Sequence, residues 1–524
     1  MRRACSPPGL VWLCAAGTFA AAAAPASAQA LELCSEERLE KRSWTGGEER
    51  GFNLFPGRPG VFAFEPPRPA AGVLTAAPAR FLRLPLPFDP AGPAAPGAAP
   101  KKHFWIATGE VVMLNVGTWL VDRYLLKAPW AFISLATWKA NLKAGLVYDH
   151  VDDFPTNQAE HPFHGSFYYN AGRTNGFNFW ESALFAAAGS LQFEYFAENE
   201  PASLNDLINT SLGGAVTGEV FYRLSTMLVD NTASGGSRLW REIGAFVMNP
   251  IAGFNRFFRG ETKKDFPNPD HRMPAGFSAE LYAGYQHLGD GPPSVVLHPN
   301  QGLFGVLIRY GDAFSGENRK PFDYFEALLE VTPRSNSTAS RWQERGLLAS
   351  WGLSSSAAAE HRLGLFMGYE YTNNQSQIFS TQTLSANLLS RFPLSRGLEL
   401  RMEILAAGFP VAALQADDTP EELAAIGRPY DYGQGGGVRS LARLHRGGLD
   451  LFSIGYEALW IHTSSGASLS SRLKALRLEG RLPVHGALAA GAAWTWNDRV
   501  TVYENRTVEV QGAEWRVFAS LLLR

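Results

Sequence analysis

The stretch FSAELYAGYQ at residues 277–286 reads as a strand with one apolar and one polar face. Phe277, Ala279, Leu281, Ala283 and Tyr285 alternate with Ser278, Glu280, Tyr282, Gly284 and Gln286. A period of two marks extended chain whose side chains point to opposite sides. The pattern returns at Leu398, Leu400, Met402 and Ile404 against Glu399, Arg401 and Glu403, and again at Phe452, Ile454, Tyr456, Ala458 and Trp460 against Ser453, Gly455 and Glu457. About twelve such segments fit before Arg524, each near the roughly ten residues that cross a bilayer at a tilt. The last alternates Trp515, Val517, Ala519, Leu521 and Leu523 with Arg516, Phe518, Ser520, Leu522 and Arg524. A soluble sandwich hides its apolar faces, whereas an outer-membrane barrel turns them to lipid and keeps Glu, Arg and Gln in the lumen. Aromatic residues near strand ends (Tyr369, Tyr371, Trp460, Trp494, Trp496) fit the second arrangement. Gly433, Gly435, Gly436 and Gly437 read as a flexible loop.

Composition agrees with that reading. The chain of 524 residues exceeds one ordinary core, and charged residues make up only 18% beside 52 glycines and 34 phenylalanines. A net charge of -2 gives no pull toward nucleic acid, which is excluded as a partner. Residues 1–30 read as a secretory signal: Arg2 and Arg3 open it, an apolar Ala-rich run follows, and Ala28-Gln29-Ala30 or Ala26-Ser27-Ala28 offers small residues for cleavage. Cys5 and Cys14 leave with it, so Cys34 alone remains and no internal disulfide forms. Residues 31–100 are a Pro/Ala-rich linker ending in GPAAPGAAP.

Residues 101–270 carry helical periodicity. In the first helix Thr108, Asn115, Thr118 and Asp122 share one stripe amid apolar side chains, which predicts a helix buried in protein or lying at a membrane surface in preference to the alternative, a spanning helix. Pro162 then points to extended or turn geometry around His161 and His164. Arg173-Thr174-Asn175-Gly176 reads as a turn. Two helices follow. Ala183, Ala187, Ser190 and Glu194 form a face of small side chains on the first, and Thr210, Gly214 and Gly218 form one on the second, which starts at Ser203. Folded antiparallel about Asn199-Glu200-Pro201, they make a tight hairpin with carboxylates at its seam, Glu181 or Ala183 lying toward Gly218 and Glu219. Glu219 and Arg223 pair at i, i+4.

So many ionisable groups among apolar ones must be paired, hydrogen-bonded or used. His161, His164, Arg173, Glu181, Glu194, Glu198 and Glu219 are the candidate acid–base residues. The alternative is a structural polar network completed by Asn205, Thr210, Arg173 and Arg223. His161, His164, Asp149 and Asp152 are candidate metal ligands by residue type, although their spacing is not diagnostic, and no cofactor follows from the sequence. No GxSxG elbow and no phosphate-cradling GxxxxGK[ST] occurs in the helical domain.

The ordered motifs HPFHGSFYYNAGRTNG, WES, EYFAE, PASLNDL, GGAVTGE and RLS, within residues of about 140–250, resemble the uncharacterised bacterial family catalogued as domain of unknown function 3943. The resemblance implies an exported envelope protein and brings no reaction. The chain is thus expected to be α+β: a helical domain with a small-residue hairpin over 101–270, then an antiparallel outer-membrane β-barrel of about twelve strands over 271–524. It is placed in the outer membrane with a periplasmic segment. Outer-membrane lipids and other envelope proteins are the expected partners. The expected role is lipid or envelope maintenance, with the helical domain at the periplasmic mouth or inside the barrel. The alternatives are a lipid- or glycan-active hydrolase or transferase, and a pore gated by a helical plug.

Overall fold

The computed structural model describes residues 101–148, 153–269, 272–289, 300–315, 320–333, 339–374, 377–395 and 397–524. The expected signal, the linker, Asp149 and Asp152 lie outside the described residues.

Alternating sequence becomes a closed antiparallel barrel. Its strands are β1 (Phe277–Leu288), β2 (Asn300–Tyr310), β3 (Phe325–Val331), β4 (Arg341–Ser355), β5 (Glu360–Asn373), β6 (Ile378–Ser395), β7 (Leu398–Gln415), β8 (Tyr430–Arg446), β9 (Leu449–Ser465), β10 (Ser470–His485), β11 (Leu488–Val502) and β12 (Thr507–Leu523). Each pairs with its sequence neighbours, and β1 closes on β12 in the register Leu281↔Leu521 and Ala283↔Ala519. Closure leaves no open edge, the condition for strands to stand in lipid. The turns at 447–448 and 486–487 mark a short-turn end. The opposite end carries the connection 416–429, with helix α9 (Pro420–Ile426) inside it.

Ion pairs between strands that are not neighbours identify the lumen, because only the interior joins them. Arg345 on β4 reaches Glu403 on β7 at 2.7 Å, and Arg443 on β8 reaches Glu326 on β3 at 2.8 Å. Arg439 on β8 holds Glu370 on β5 at 3.0 Å, Arg516 on β12 holds Glu330 on β3 at 2.6 Å, and Arg309 on β2 pairs with Asp450 on β9. The alternate residues therefore face outward, where Leu281, Phe304, Leu365, Ile404, Ile454 and Val517 form an exposed apolar belt. That belt on a closed barrel makes this an outer-membrane protein. Near Arg345 and Arg439 the lumen narrows to a space of about 30 Å³, and a cavity of about 410 Å³ lies nearer the short-turn end.

The glycine run is strand, not loop. Gly433 and Gly435 lie within β8, where a Cβ would stand 2.3 Å from His462 O and 1.9 Å from Trp460 O. Close approach of β9, not turn chemistry, is what glycine serves there.

The N-terminal helices are α1 (Phe104–Leu120), α2 (Leu135–Ala144), α3 (His161–Arg173), α4 (Phe179–Phe196), α5 (Leu204–Ile208), α6 (Gly214–Leu228), α7 (Gly235–Met248) and α8 (Pro250–Phe258). Wider π-helical turns extend α1 through Leu126 and flank α3 and α6 at Thr156–Glu160 and Asn209–Gly213. Pro162 does not break the helix. The chain is helical without a break over residues 154–173, and the wider π-helical turn at Thr156–Glu160 lies just before the proline and makes room for it, so His161 and His164 share a helix. Asn178 caps α4 through a reciprocal box with Glu181, and Ser203 caps α5 by accepting from Asp206 N. α1 keeps Asn115 and Asp122 buried as its stripe predicts, but it is not a buried helix: Trp105 is 81% and Met113 75% exposed. Residues 104–126 are long and apolar enough to cross a membrane.

The helices do not enter the lumen. They pack on the outer wall over β2 to β8, burying Tyr310, Phe325, Trp342, Tyr369, Tyr371, Val411, Tyr430 and Tyr432, all of outward parity, in one core with Tyr168, Tyr169, Val216 and Val220. Tyr369 and Tyr371 are thus docking residues and not a girdle. The expectation of a helical plug, or of helices inside the barrel, is overturned by this parity.

Candidate functional site

The polar seam assembles around α3, which lies between α4 and α6. Small residues allow this. A Cβ on Gly165 would lie 1.9 Å from Thr210 O, one on Gly189 2.6 Å from the Tyr168 ring, and one on Gly218 2.6 Å from the Tyr169 ring. The small faces of α4 and α6 are therefore filled largely by α3 rather than by each other.

At the short-turn end of the seam Glu219, fully buried, accepts from Arg173 Nε at 2.8 Å, Arg223 Nε at 2.8 Å and Tyr169 OH at 2.7 Å. Arg223 continues to Asp323 at 2.9 Å and donates to Pro321 O at 2.7 Å, both in the β2–β3 connection. Opposite charges and complete hydrogen bonding offset the cost of burial. Midway, Asn170 Nδ2 donates to Gly218 O at 3.1 Å and its Oδ1 accepts from Asn249 at 2.7 Å. Asn115 bonds Gly189 O at 3.0 Å and Gln192 at 2.8 Å, and Tyr168 OH donates to it as well.

Toward the long-loop end His161 Nδ1 lies 3.2 Å from Thr210 Oγ1, and its Nε2 lies 3.6 Å from Asp206. His164 is enclosed against Tyr168 and Phe193, with ring centroids 4.7 and 5.8 Å away. Glu194 is buried and accepts from Ser203 N at 2.8 Å, tying α4 to the start of α5. Glu198 stands just beyond α4, its carbonyl accepting from Asn141 at 3.0 Å. Glu181 is remote from the seam. It is partly exposed at the start of α4 and pairs with Lys102 at 2.7 Å, so of the two residues expected toward Gly218 and Glu219, Glu181 or Ala183, Glu181 is held away by its capping box. Among the described residues no three His, Cys, Asp or Glu side chains are grouped to hold a metal.

A second polar layer joins the seam to the wall. Thr217 Oγ1 donates to Glu344 at 2.7 Å, Asn157 Nδ2 to Tyr430 OH at 2.7 Å, and Gln158 Nε2 to Tyr432 OH at 2.9 Å. Asn205 also reaches Tyr432 OH, at 3.1 Å, and Tyr369 OH donates to Gln158 O. Sequence reasoning missed this layer. Its signal was present: in Arg341-Trp342-Gln343-Glu344-Arg345 the charge at Glu344 falls on the face that should meet lipid, as do Ser380 and Gln382 on β6.

Residues 145–251 match the family model described as Domain of unknown function (DUF3943). No curated protein is similar to the chain in sequence. Among solved structures the chain is similar to an OmpT loop-deletion mutant of Vibrio cholerae (9% identity, TM-score 0.22, 47% of this chain and 98% of that one). It is also similar to the NanC porin (8%, 0.25, 46% and 98%) and to the outer membrane channel DcaP of Acinetobacter baumannii (7%, 0.21, 47% and 96%).

Proposed function

We propose that this outer-membrane protein serves lipid or envelope maintenance through its helical bundle, which works as a scaffold on the lipid side of the barrel. The observation that carries the reading is the position of the bundle. Its second polar layer, Thr217, Asn157 and Gln158, meets the wall, while Trp105, Met113, Leu184 and Leu191 project outward among other exposed apolar side chains. Apolar surface of that extent is stable only against lipid or protein. The lumen is crossed by guanidinium–carboxylate pairs and narrows to about 30 Å³ near Arg345 and Arg439, which obstructs the passage of a solute beyond the cavity of about 410 Å³ at the short-turn end. Short turns at 447–448 and 486–487 support a periplasmic assignment for that end, since outer-membrane barrels carry their short turns there. Conductance across planar bilayers tests the reading: the full chain should give no steady current, and stable ohmic channels from the unmodified protein would overturn it. Mass spectrometry of the protein in mild detergent should find phospholipid retained on it.

One geometric feature favours the hydrolase as a second reading. The Thr210–His161–Asp206 arrangement has the elements of an activated hydroxyl: His161 Nδ1 would take the Thr210 proton as Oγ1 attacks the carbonyl carbon of a lipid ester, and return it to the departing alcohol oxygen as that C–O bond breaks. Water would then cleave the acyl-threonine by the same route, and Asp206, 3.6 Å from Nε2, would favour the charged imidazole. Glu219 and Glu194 are already committed to their partners. Thr210→Ala and His161→Ala should then each abolish ester turnover in protein that still shifts on a gel when heated. Absence of turnover in the unmodified chain would remove this reading.

A further inference from the structure

We infer that α7 and α8 form an anchor that lies flat in the membrane interface at the short-turn end and binds anionic phospholipid headgroups. The inference is separate from what the bundle does and rests on the outward face of these two helices.

Their inner faces are fixed by polar bonds. Arg238 reaches Asp265 at 2.8 Å and Arg256 holds Glu242 at 2.6 Å. Asn255 donates to Thr174 Oγ1 at 2.8 Å, and Arg259 donates to Thr174 O at 3.1 Å, where α3 ends. With that side committed, the opposite side is turned outward and is apolar. Leu239, Trp240 and Ile243 on α7, and Phe254, Phe257 and Phe258 on α8, are all exposed, Trp240 at 72% and Phe258 at 79%. Spacings of i, i+1, i+4 and i, i+3, i+4 put each trio on one helical face.

Lipid, rather than a protein partner, follows from three features. The helices connect α6 to β1 at the short-turn end: Arg272, a few residues before β1, bonds Val229 O at 2.6 Å, just after α6. The anchor therefore sits at the rim of the barrel's apolar belt. Phe104 and Trp105 open α1 at the same level, since His103 N donates to Asn175 O at 3.0 Å beside the end of α3, and they continue the apolar surface. Residues 235–265 also hold six basic against three acidic side chains; Arg238, Arg256 and Arg259 are tied on the inner side, and Lys263 and Lys264, exposed just past α8, carry the outward positive charge. An aromatic face beside surplus basic charge is the chemistry of an interfacial helix on an anionic surface.

The test uses the full chain in vesicles of phosphatidylcholine and phosphatidylglycerol with acyl-brominated lipid as the quencher. The emission of Trp240 is isolated as the difference between the unmodified protein and Trp240→Phe, a substitution at an exposed site that leaves the heat-shifted band intact. Brominated lipid should cut that difference emission by about twofold or more, while aqueous iodide leaves it unchanged. At equal mole fraction, brominated phosphatidylglycerol should quench more strongly than brominated phosphatidylcholine, and Lys263→Glu with Lys264→Glu should level the two. Quenching of Trp240 by iodide and not by brominated lipid would overturn the anchor. Equal quenching by the two headgroups in the unmodified protein would overturn the anionic preference.

Discussion

At the scale of single residues, Glu219 is the position where charge matters most. Removing it leaves Arg173 and Arg223 facing each other in a dry seam, so Glu219→Ala should cost about 3–5 kcal/mol, read as a drop in the urea midpoint of the heat-shifted band. Glu181→Ala, at a partly exposed cap, should cost about 1 kcal/mol. Most of this cluster was legible in the sequence: Glu219 and Arg223 stand one helical turn apart, any helix pairs them, and the expected polar network includes Arg173 beside Arg223 as a partner for the carboxylates, though not its contact with Glu219. Arg173 and Tyr169 come from α3, and only tertiary packing brings them in. A second residue, Asp418, lies in the connection opposite the short turns, outside the strands. Burial, then the Asp431 charge, raise its carboxyl to about 6, against a hydrogen bond from Tyr503 that lowers it. A raised acid binds its proton more tightly when folded. Its contribution is therefore fully present below the unfolded value of about 4 and is lost as pH rises through about 6. Protection of amides in 416–429, taken as exchange relative to the intrinsic rate at each pH, should be greater at pH 5 than at pH 7.5, and Asp418→Asn should flatten that difference. Greater protection at the higher pH would contradict the sign.

At the scale of elements, strands were easier to read than the helix contacts. Period-two alternation carries its own register information, because a one-residue slip would turn every Glu and Arg of the lumen to lipid. Helix faces show only that small residues seek close neighbours, not which neighbour. Ala183, Ser190, Gly214 and Gly218 suggested that α4 and α6 meet each other, yet α3 fills much of the seam because its Gly165 and Gly172 are equally small. Pro162 concealed that helix, since a proline inside a helix is accommodated only by a local irregularity such as the π-helical turn before it, which residue type alone does not announce. The Gly433–Gly437 run failed for a related reason, because sheet pairing overrides local glycine preference when a neighbouring backbone must come close. The α3–α6 contact gives a sharp test. Gly165→Ala drives a methyl into the Thr210 carbonyl, which neither helix can yield without moving. It should cost about 1–3 kcal/mol or more, while Gly109→Ala, with open space around the added Cβ, should be neutral or slightly stabilising. Equal urea midpoints for the two variants would show that α3 is not wedged between its neighbours.

At the scale of the molecule, barrel and bundle depend on each other. The outward face of β4 to β8 holds Glu344, Tyr369, Tyr371, Ser380, Gln382, Tyr430 and Tyr432 where other barrel faces hold Leu, Ile and Val. In lipid each polar group without a partner costs several kcal/mol, so a barrel of residues 271–524 alone would present a patch that the membrane rejects. That segment, expressed with an export signal, should either fail to give a heat-shifted band or pair with a second copy through the uncovered wall. If the patch alone is responsible, Glu344→Leu with Gln382→Leu, Tyr430→Phe and Tyr432→Phe should restore a monomeric barrel to the truncated chain. In the full chain the same substitutions should loosen the bundle, because Thr217, Asn157 and Gln158 then lose their acceptors. A truncated chain that folds as well as the full one without those changes would show that the wall tolerates lipid, and that the bundle is an attachment rather than part of one folding unit.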